Sequence, residues 1–260
     1  MMNLWFCAVC STAQNHTSIT RRNNNENQLD EHQIKVFAQL LDNMVFVDGG
    51  SFYMGVEDQE DDDCKDATRH WVSIDPFFMS RFEVTQELWT TVMDYNPAQF
   101  QHPEKPVENV SWEETHVFIN KLNQLTGMDF RLPTEAEWEF AARGGTNSLD
   151  YQFAGSDFPS AVAWFEQNSE CNTHIVGTKR PNELGIFDMS GNVAEWCQDL
   201  YQHDYYKNSP TNNPKGPQQG YNRVNRGGSW INEHKYARVF HRNLDTTQTK
   251  SPSIGFRLAM

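Results

Sequence analysis

The 260-residue chain lacks long apolar runs, a surplus of positive charge, internal repeats and a dense set of cysteines. Each absence removes a class of protein. No stretch approaches the ~20 consecutive apolar residues that cross a bilayer, so no transmembrane segment is expected. The formal net charge of −14 repels phosphate backbones, and nucleic acid is not an expected partner. Five cysteines are an odd number that cannot all pair within the chain. Cys7 and Cys10 sit in a short apolar stretch, and Cys64, Cys171 and Cys197 have no C-x-x-C spacing to hold zinc.

What is present is apolar bulk. Hydrophobic residues make up 38% and aromatics 13%, enough for a sizeable core in one large domain or two small ones. "LWFCAV" (4–9) followed by "CSTAQ", with Ser11 and Ala13 as small residues, reads as the end of a truncated signal peptide or as a ragged N-terminus. The expected division is a leader over 1–14, a polar linker over 15–42 and a folded domain over 43–260. With a leader the protein is periplasmic or secreted; without one it is cytoplasmic.

Along the domain, "NMVFVDGGSFYMG" (43–55) reads as a β-hairpin around Gly49-Gly50, and "HWVSIDPFFMSRFEVT" (70–85) as a second strand pair. The acidic run "EDQEDDDCKD" (57–66) lacks the glycine and spaced carboxylates of a calcium loop and reads as a solvated face. A helix is expected near 86–93. Ser111 with Glu114, and Thr134 with Glu137, form capping boxes that open two main helices. Val117, Phe118, Leu122 and Leu125 mark the apolar face of the first, which Gly127 stops. Trp138 and Ala142 mark one face of the second. From Gly145 to Gly228 the chain is rich in Gly, Pro, Asn and Asp, and short strands between long loops are expected. These elements make an α+β domain.

Two stretches carry chemistry. In "PNELGIFDMSGNVAEWCQDLY" (181–201), Asp188 and Glu195 offer carboxylates, while Gly191 and Val193 offer backbone carbonyls around a tight turn. Such hard oxygen donors suit calcium. The alternative is a turn held by Asn192, with Trp196 and Cys197 as core residues. The second stretch is "RGGSWINEHKYARVFHR" (226–242), where Asn, His, Tyr and Arg crowd behind a paired-glycine turn. It holds no evident nucleophile after Ser229. His234 and His241 supply only two imidazoles, too few for a metal redox centre.

Together with "VDGGSFYMG", "PVENVSWEETHVFINKLN", "FRLPTEAEWEFAARGG", "RVNRGGSW" and "IGFRLAM", these motifs resemble the formylglycine-generating enzymes, or sulfatase-modifying factors, in that family's order from about Asn43 to Met260. The resemblance implies a modified C-type-lectin-like fold with little regular secondary structure, several short antiparallel strands and calcium as a structural ion. It places one calcium at Asp188, Gly191, Val193 and Glu195. For a second calcium site Ala163 and "EQNSECNTH" do not match the family's pattern. In members that oxidise a sulfatase cysteine, two copper-binding cysteines follow "RGGS". Here those positions are Asn232 and Ala237, and the pocket's expected Trp is Ala194. Neither Asn nor Ala binds Cu(I) or exchanges disulfides, so no copper is expected.

The reading that follows is a calcium-stabilised binding or accessory protein without the copper-thiol oxidase site. A peptide, protein or small-molecule ligand would occupy a cleft lined by Ser229, Asn232, His234, Tyr236 and His241, with no catalytic residue assigned. The alternative is an enzyme of the formylglycine-generating family, an oxidoreductase using different chemistry in the same cleft. Arg226 and Arg257 are expected to act structurally, through carboxylate partners.

Overall fold

A computed structural model describes residues 29–57 and 64–260. The expected leader over 1–14, the first half of the expected linker and most of the acidic run lie outside the described residues. The second half of that linker is instead a helix, α1 (Glu31–Asp42). Asp30 and Gln33 form a capping box at its start, and Val36, Phe37 and Leu40 bury one face. A short amphipathic stripe inside a polar sequence is what made this stretch read as a linker.

The opening strands pair differently from expectation. β1 (Met44–Val47) and β2 (Gly50–Met54) do not pair with each other. β2 runs antiparallel to β3 (His70–Ile74), and β1 to β4 (Phe77–Ser80). A single register joins Met44 to Ser80, Val47 to Phe77, Gly50 to Ile74 and Met54 to His70. The two stretches are therefore the two arms of one long hairpin. Its ladder breaks only at Asp48-Gly49 opposite Asp75-Pro76, because Pro76 has no N–H to give. A Cβ on Gly49 would lie 2.6 Å from the Ile74 carbonyl and 2.8 Å from Pro76, so the close crossing needs glycine. Alternation buries Phe52's neighbours Met54, Val72 and Ile74, and leaves Ser51, Tyr53 and Trp71 outside.

The helices start where their caps are. Thr85 opens α2 (Gln86–Met93), and the Ser111–Glu114 box opens α3 (Trp112–Thr126), which ends at left-handed Gly127. The buried face of α3 is Thr115, Phe118, Ile119 and Leu122; Val117, expected in that face, is half exposed. The Thr134–Glu137 box opens α4 (Glu135–Ala142), which is buried nearly all round, Glu135 and Glu139 included. A one-turn helix, α5 (Pro159–Val162), follows. The remaining sheet has the order β7-β6-β5-β8, formed by β5 (Ala194–Leu200), β6 (Asn222–Arg226), β7 (Arg242–Thr246) and β8 (Ile254–Gly255). All its ladders are antiparallel except β5 with β8. The expected α+β class with short strands and long loops is thus observed.

β5 divides two cores. Ala194 and Trp196 enter the one built on α1, α2 and α3. Cys197 enters the one between the long hairpin and α4. Apolar burial of this kind contributes about 25 cal/mol per Å² removed from water. Residues 256–260 close both: Leu258 O accepts from Ser80 N, and Met260 and Phe78 exchange backbone bonds in both directions.

Candidate functional site

After β6 the chain turns through Gly227 (φ 92°) and Gly228 (φ 64°). A Cβ on Gly228 would sit 2.7 Å from the Tyr236 carbonyl, so this glycine lets the turn fold back on the one-turn helix His234–Ala237. Ser229 Oγ donates to Asn232 Oδ1 at 2.6 Å. Asn232 N donates to Ser229 O, and Asn232 O accepts from Glu166 N. Asn232 therefore closes a local turn. Ala237 is 1% exposed and packs with Phe153 and Val162. Of the two positions where the resemblance implies copper ligands, one is a turn-maker and the other a core filler. Ala194, where the pocket Trp was expected, is also buried core.

The other expected cleft residues lie beyond this turn. His234 is exposed, edge-on to Phe153 and Phe165. Tyr236 meets His241 with ring centroids 4.9 Å apart. Cys64 Sγ lies 3.5 Å from His241 Nδ1, an encounter that 177 residues of separation kept invisible in the sequence. No disulfide joins the cysteines of the described residues. Cys197 is fully buried, and burial pushes its thiol well up, as suits a small core residue.

The arginines behind this stretch are spoken for. Arg226 pairs with Glu139 at 2.7 Å and Glu135 at 3.3 Å, and also donates to Val239 O and His241 O. Arg242 grips both oxygens of Glu135 at 2.7 and 2.9 Å. Arg143 adds a third guanidinium on Glu139. Burial alone would raise the Glu135 carboxyl, but Arg242 and Arg226 outweigh it and hold it below the usual range.

The expected calcium set is built differently from its neighbours. Asp188 (φ 57°) and Gly191 (φ 80°) both adopt the left-handed conformation; a Cβ on Gly191 would collide with the Trp164 carbonyl. Asn192 accepts from His174 N and donates to Glu83 and to His174 O, while Trp196 is fully buried. The turn held by Asn192 is thus present. Glu195 spends both oxygens on Arg257 at 2.6 Å, and one also accepts from Trp138 Nε1. Asp188 Oδ2 accepts from Gly177 N at 2.6 Å, but its Oδ1 is buried without a partner. Glu83, a residue the sequence did not single out, accepts from Val193 N and Asn192 Nδ2.

Three buried carboxylates thus face one guanidinium. Burial pushes Asp188 up to about 6, against the Gly177 N–H and Arg257. Burial, then the charges of Asp188 and Glu195, push Glu83 well up. The donor chemistry fits a cation in part. Asp188 offers an open oxygen and the cluster an unbalanced negative charge, whereas Glu195 is already paired with Arg257. Among the described residues no three His, Cys, Asp or Glu side chains converge as a metal centre. The loop that failed to match a second calcium site is closed by its own bonds, Asn168 to Phe165 and Ala163, and His174 to Ser169.

A concavity of about 590 Å³ lies between the outer face of β2–β3 and the segment 145–152. Phe240 is its link to the 226–242 stretch; Ser229, Asn232, His234, Tyr236 and His241 do not line it. No helix of the described residues is long and apolar enough to cross a membrane.

Comparison with known proteins agrees with this architecture. A family model described as "Sulfatase-modifying factor enzyme 1-like domain" matches residues 31–260. The "Chaperone protein LppX" of Paenibacillus barcinonensis is 28% identical over 84% of this chain and 89% of its own length. The "Formylglycine-generating enzyme" of Streptomyces coelicolor is 35% identical over 60% of this chain and 53% of its own. Among solved structures, "Treponema denticola variable protein 1" superposes with a TM-score of 0.76 at 31% identity, covering 83% of this chain and 94% of that one.

Proposed function

The chain belongs to the sulfatase-modifying factor family, and from that premise we propose that it is a binding or accessory protein without the copper-thiol oxidase activity. The carrying observation is the fate of the two copper positions. Asn232 is bonded into the Ser229 turn and Ala237 is sealed in a small core. Neither side chain is a thiolate that could hold Cu(I). The chaperone name of the Paenibacillus relative supports an accessory role. The ligand is a peptide, protein or small molecule held at the surface formed by the 226–242 stretch and the concavity beside Phe240.

Calcium belongs to this reading as a structural ion beside Asp188, Gly191, Val193 and Glu195. Its support is the open Asp188 oxygen and the charge imbalance around it. An ion there would neutralise buried carboxylates and take no part in turnover.

The test is incubation of the pure protein with a Cys-x-Pro-x-Arg peptide, copper and oxygen. The expected result is an unchanged peptide mass; aldehyde formation at the cysteine would overturn the proposal. One observation favours a second reading, an enzyme of different chemistry. The Cys64 thiol touches the His241 imidazole beside Tyr236, a pairing that can activate a thiol. Turnover abolished by Cys64→Ser would establish it.

A further inference from the structure

We propose that the concavity between the β2–β3 face and the segment 145–152 is a saccharide site, with Trp71 as its stacking platform. Its volume, about 590 Å³, falls in the ~300–1,000 Å³ range of sites that enclose small ligands. The inference rests on the binding-protein reading and names the ligand class.

Charge narrows the class first. Two guanidiniums reach the cavity, and each already has a carboxylate: Arg69 pairs with Glu57 at 2.6 Å, and Arg143 with Glu139 at 2.8 Å while also donating to Gly55 O. With Arg69 and Arg143 matched in number by Glu57 and Asp150 on the same lining, the cavity has no surplus positive charge to repay the desolvation of a phosphate, sulfate or carboxylate. The guest is neutral.

Surface chemistry narrows it further. A purely apolar guest needs an apolar box, but the phenyl rings at the base, Phe140 and Phe240, are 1% and 8% exposed and mostly spent on the core. The most exposed aromatic surface is Tyr53, 51% exposed, and Trp71, 47% exposed, with Phe52 and Tyr151 on the same lining partly buried. They are cross-strand partners, meeting edge-to-face at 4.7 Å. The Arg69 guanidinium already covers Tyr53 at 4.3 Å, which leaves the Trp71 indole as the more open ring of this exposed pair. Around it stand donors and acceptors of mixed type: Ser51, Thr146, Ser148, Asp150 and Gln152. One flat apolar face, a rim of hydroxyl-matching groups and no net cation are complementary to a pyranose. Its C–H side covers the indole while its hydroxyls exchange hydrogen bonds with the rim.

Such a surface on a two-stranded hairpin needs an explanation, since alternation would otherwise place small polar residues outward. Ser51 and Ser73, whose hydroxyls lie 2.6 Å apart on the same face, follow that rule; Tyr53 and Trp71 break it.

The whole protein is titrated with cellotriose, chitotriose and mannotriose, following tryptophan fluorescence and saturation-transfer NMR. Saturable binding to at least one is expected, weakened about tenfold by Trp71→Ala, the loss of one stacking contact. Phe158→Ala, which removes another exposed ring, should leave affinity unchanged. If Trp71→Ala does not fold by circular dichroism, Asp150→Asn takes its place with weakened binding expected. No saturable binding to any of the three sugars overturns the inference, as does binding indifferent to both variants. Tighter binding of a sulfated trisaccharide, or of the Cys-x-Pro-x-Arg peptide in a Trp71-dependent manner, also overturns it. Aldehyde formation in the copper assay would defeat the binding-protein reading independently of any sugar result.

Discussion

Two ionic clusters lie in the interior, and their arithmetic differs. Around α4, Glu135 and Glu139 are met by Arg226, Arg242 and Arg143, so every carboxylate has a guanidinium within 3.3 Å. Around the Asp188 turn, Glu83, Asp188 and Glu195 share only Arg257. The first cluster holds itself together. The second carries more negative charge than its own side chains answer, and it has an oxygen to spare. A buried charge must be paired, neutralised by a proton or matched by an ion; the first cluster uses the first remedy, and the second is left with the other two.

The largest test breaks the balanced cluster. Arg226→Met leaves Glu135 and Glu139 short of a partner in a dry interior, so unfolding by urea should show a loss of about 3–5 kcal/mol. A loss no larger than that of an exposed arginine would deny Arg226 this role.

Next in size is the ion. Calcium at about a hundred times its dissociation constant should stabilise by about 2.7 kcal/mol, seen as a higher melting temperature than in EDTA. Asp188→Asn should abolish that difference, and Glu139→Gln should lower stability without touching it. Equal melting curves with and without calcium would remove the ion from the account.

Smallest per step of pH, a third effect sharpens the edge of the balanced cluster. Asp199 accepts from the Glu135 backbone at 2.9 Å. Burial first, then the Glu135 charge, push its carboxyl up to about 8. An acid raised on folding binds its proton more tightly in the folded state. Its contribution is therefore fully present below about pH 4 and is lost as pH rises to about 8, at no more than about 1.4 kcal/mol per pH unit. Asp199→Asn should flatten denaturation midpoints measured across that window. An unchanged slope would show that the carboxyl titrates normally.

These contrasts also show what could be seen from the sequence. Ser111 with Glu114 and Thr134 with Glu137 announced their helices because capping is a contact between near neighbours. That Asn232 and Ala237 stand where the resemblance implies copper-binding cysteines was likewise legible, being a matter of residue identity. Partnership over long distances was not. Gly49-Gly50 looks like a hairpin turn, yet the arms it joins pair not with each other but with strands further along the chain, Met54 with His70 and Met44 with Ser80. Glu135 and Glu139 carry no local sign of burial, and only the three arginines at 143, 226 and 242 make it tolerable. Glu83 has no local signature at all. The 226–242 cleft was read from crowding in sequence, and the concavity of about 590 Å³ beside the outward Tyr53–Trp71 pair had no such local sign.

One detail of the closing segment reaches into how the chain is made. Arg257 supplies the guanidinium for Glu195 and also caps the carbonyls of Ser80 and Phe187, while residues 258–260 finish the outer arm of the long hairpin. The N-terminal strands thus complete their edge only with a segment synthesised about 180 residues later. Until it leaves the ribosome, Glu195 has no counterion with which to be buried and β4 no outer neighbour, so this part of the fold cannot close before that segment emerges.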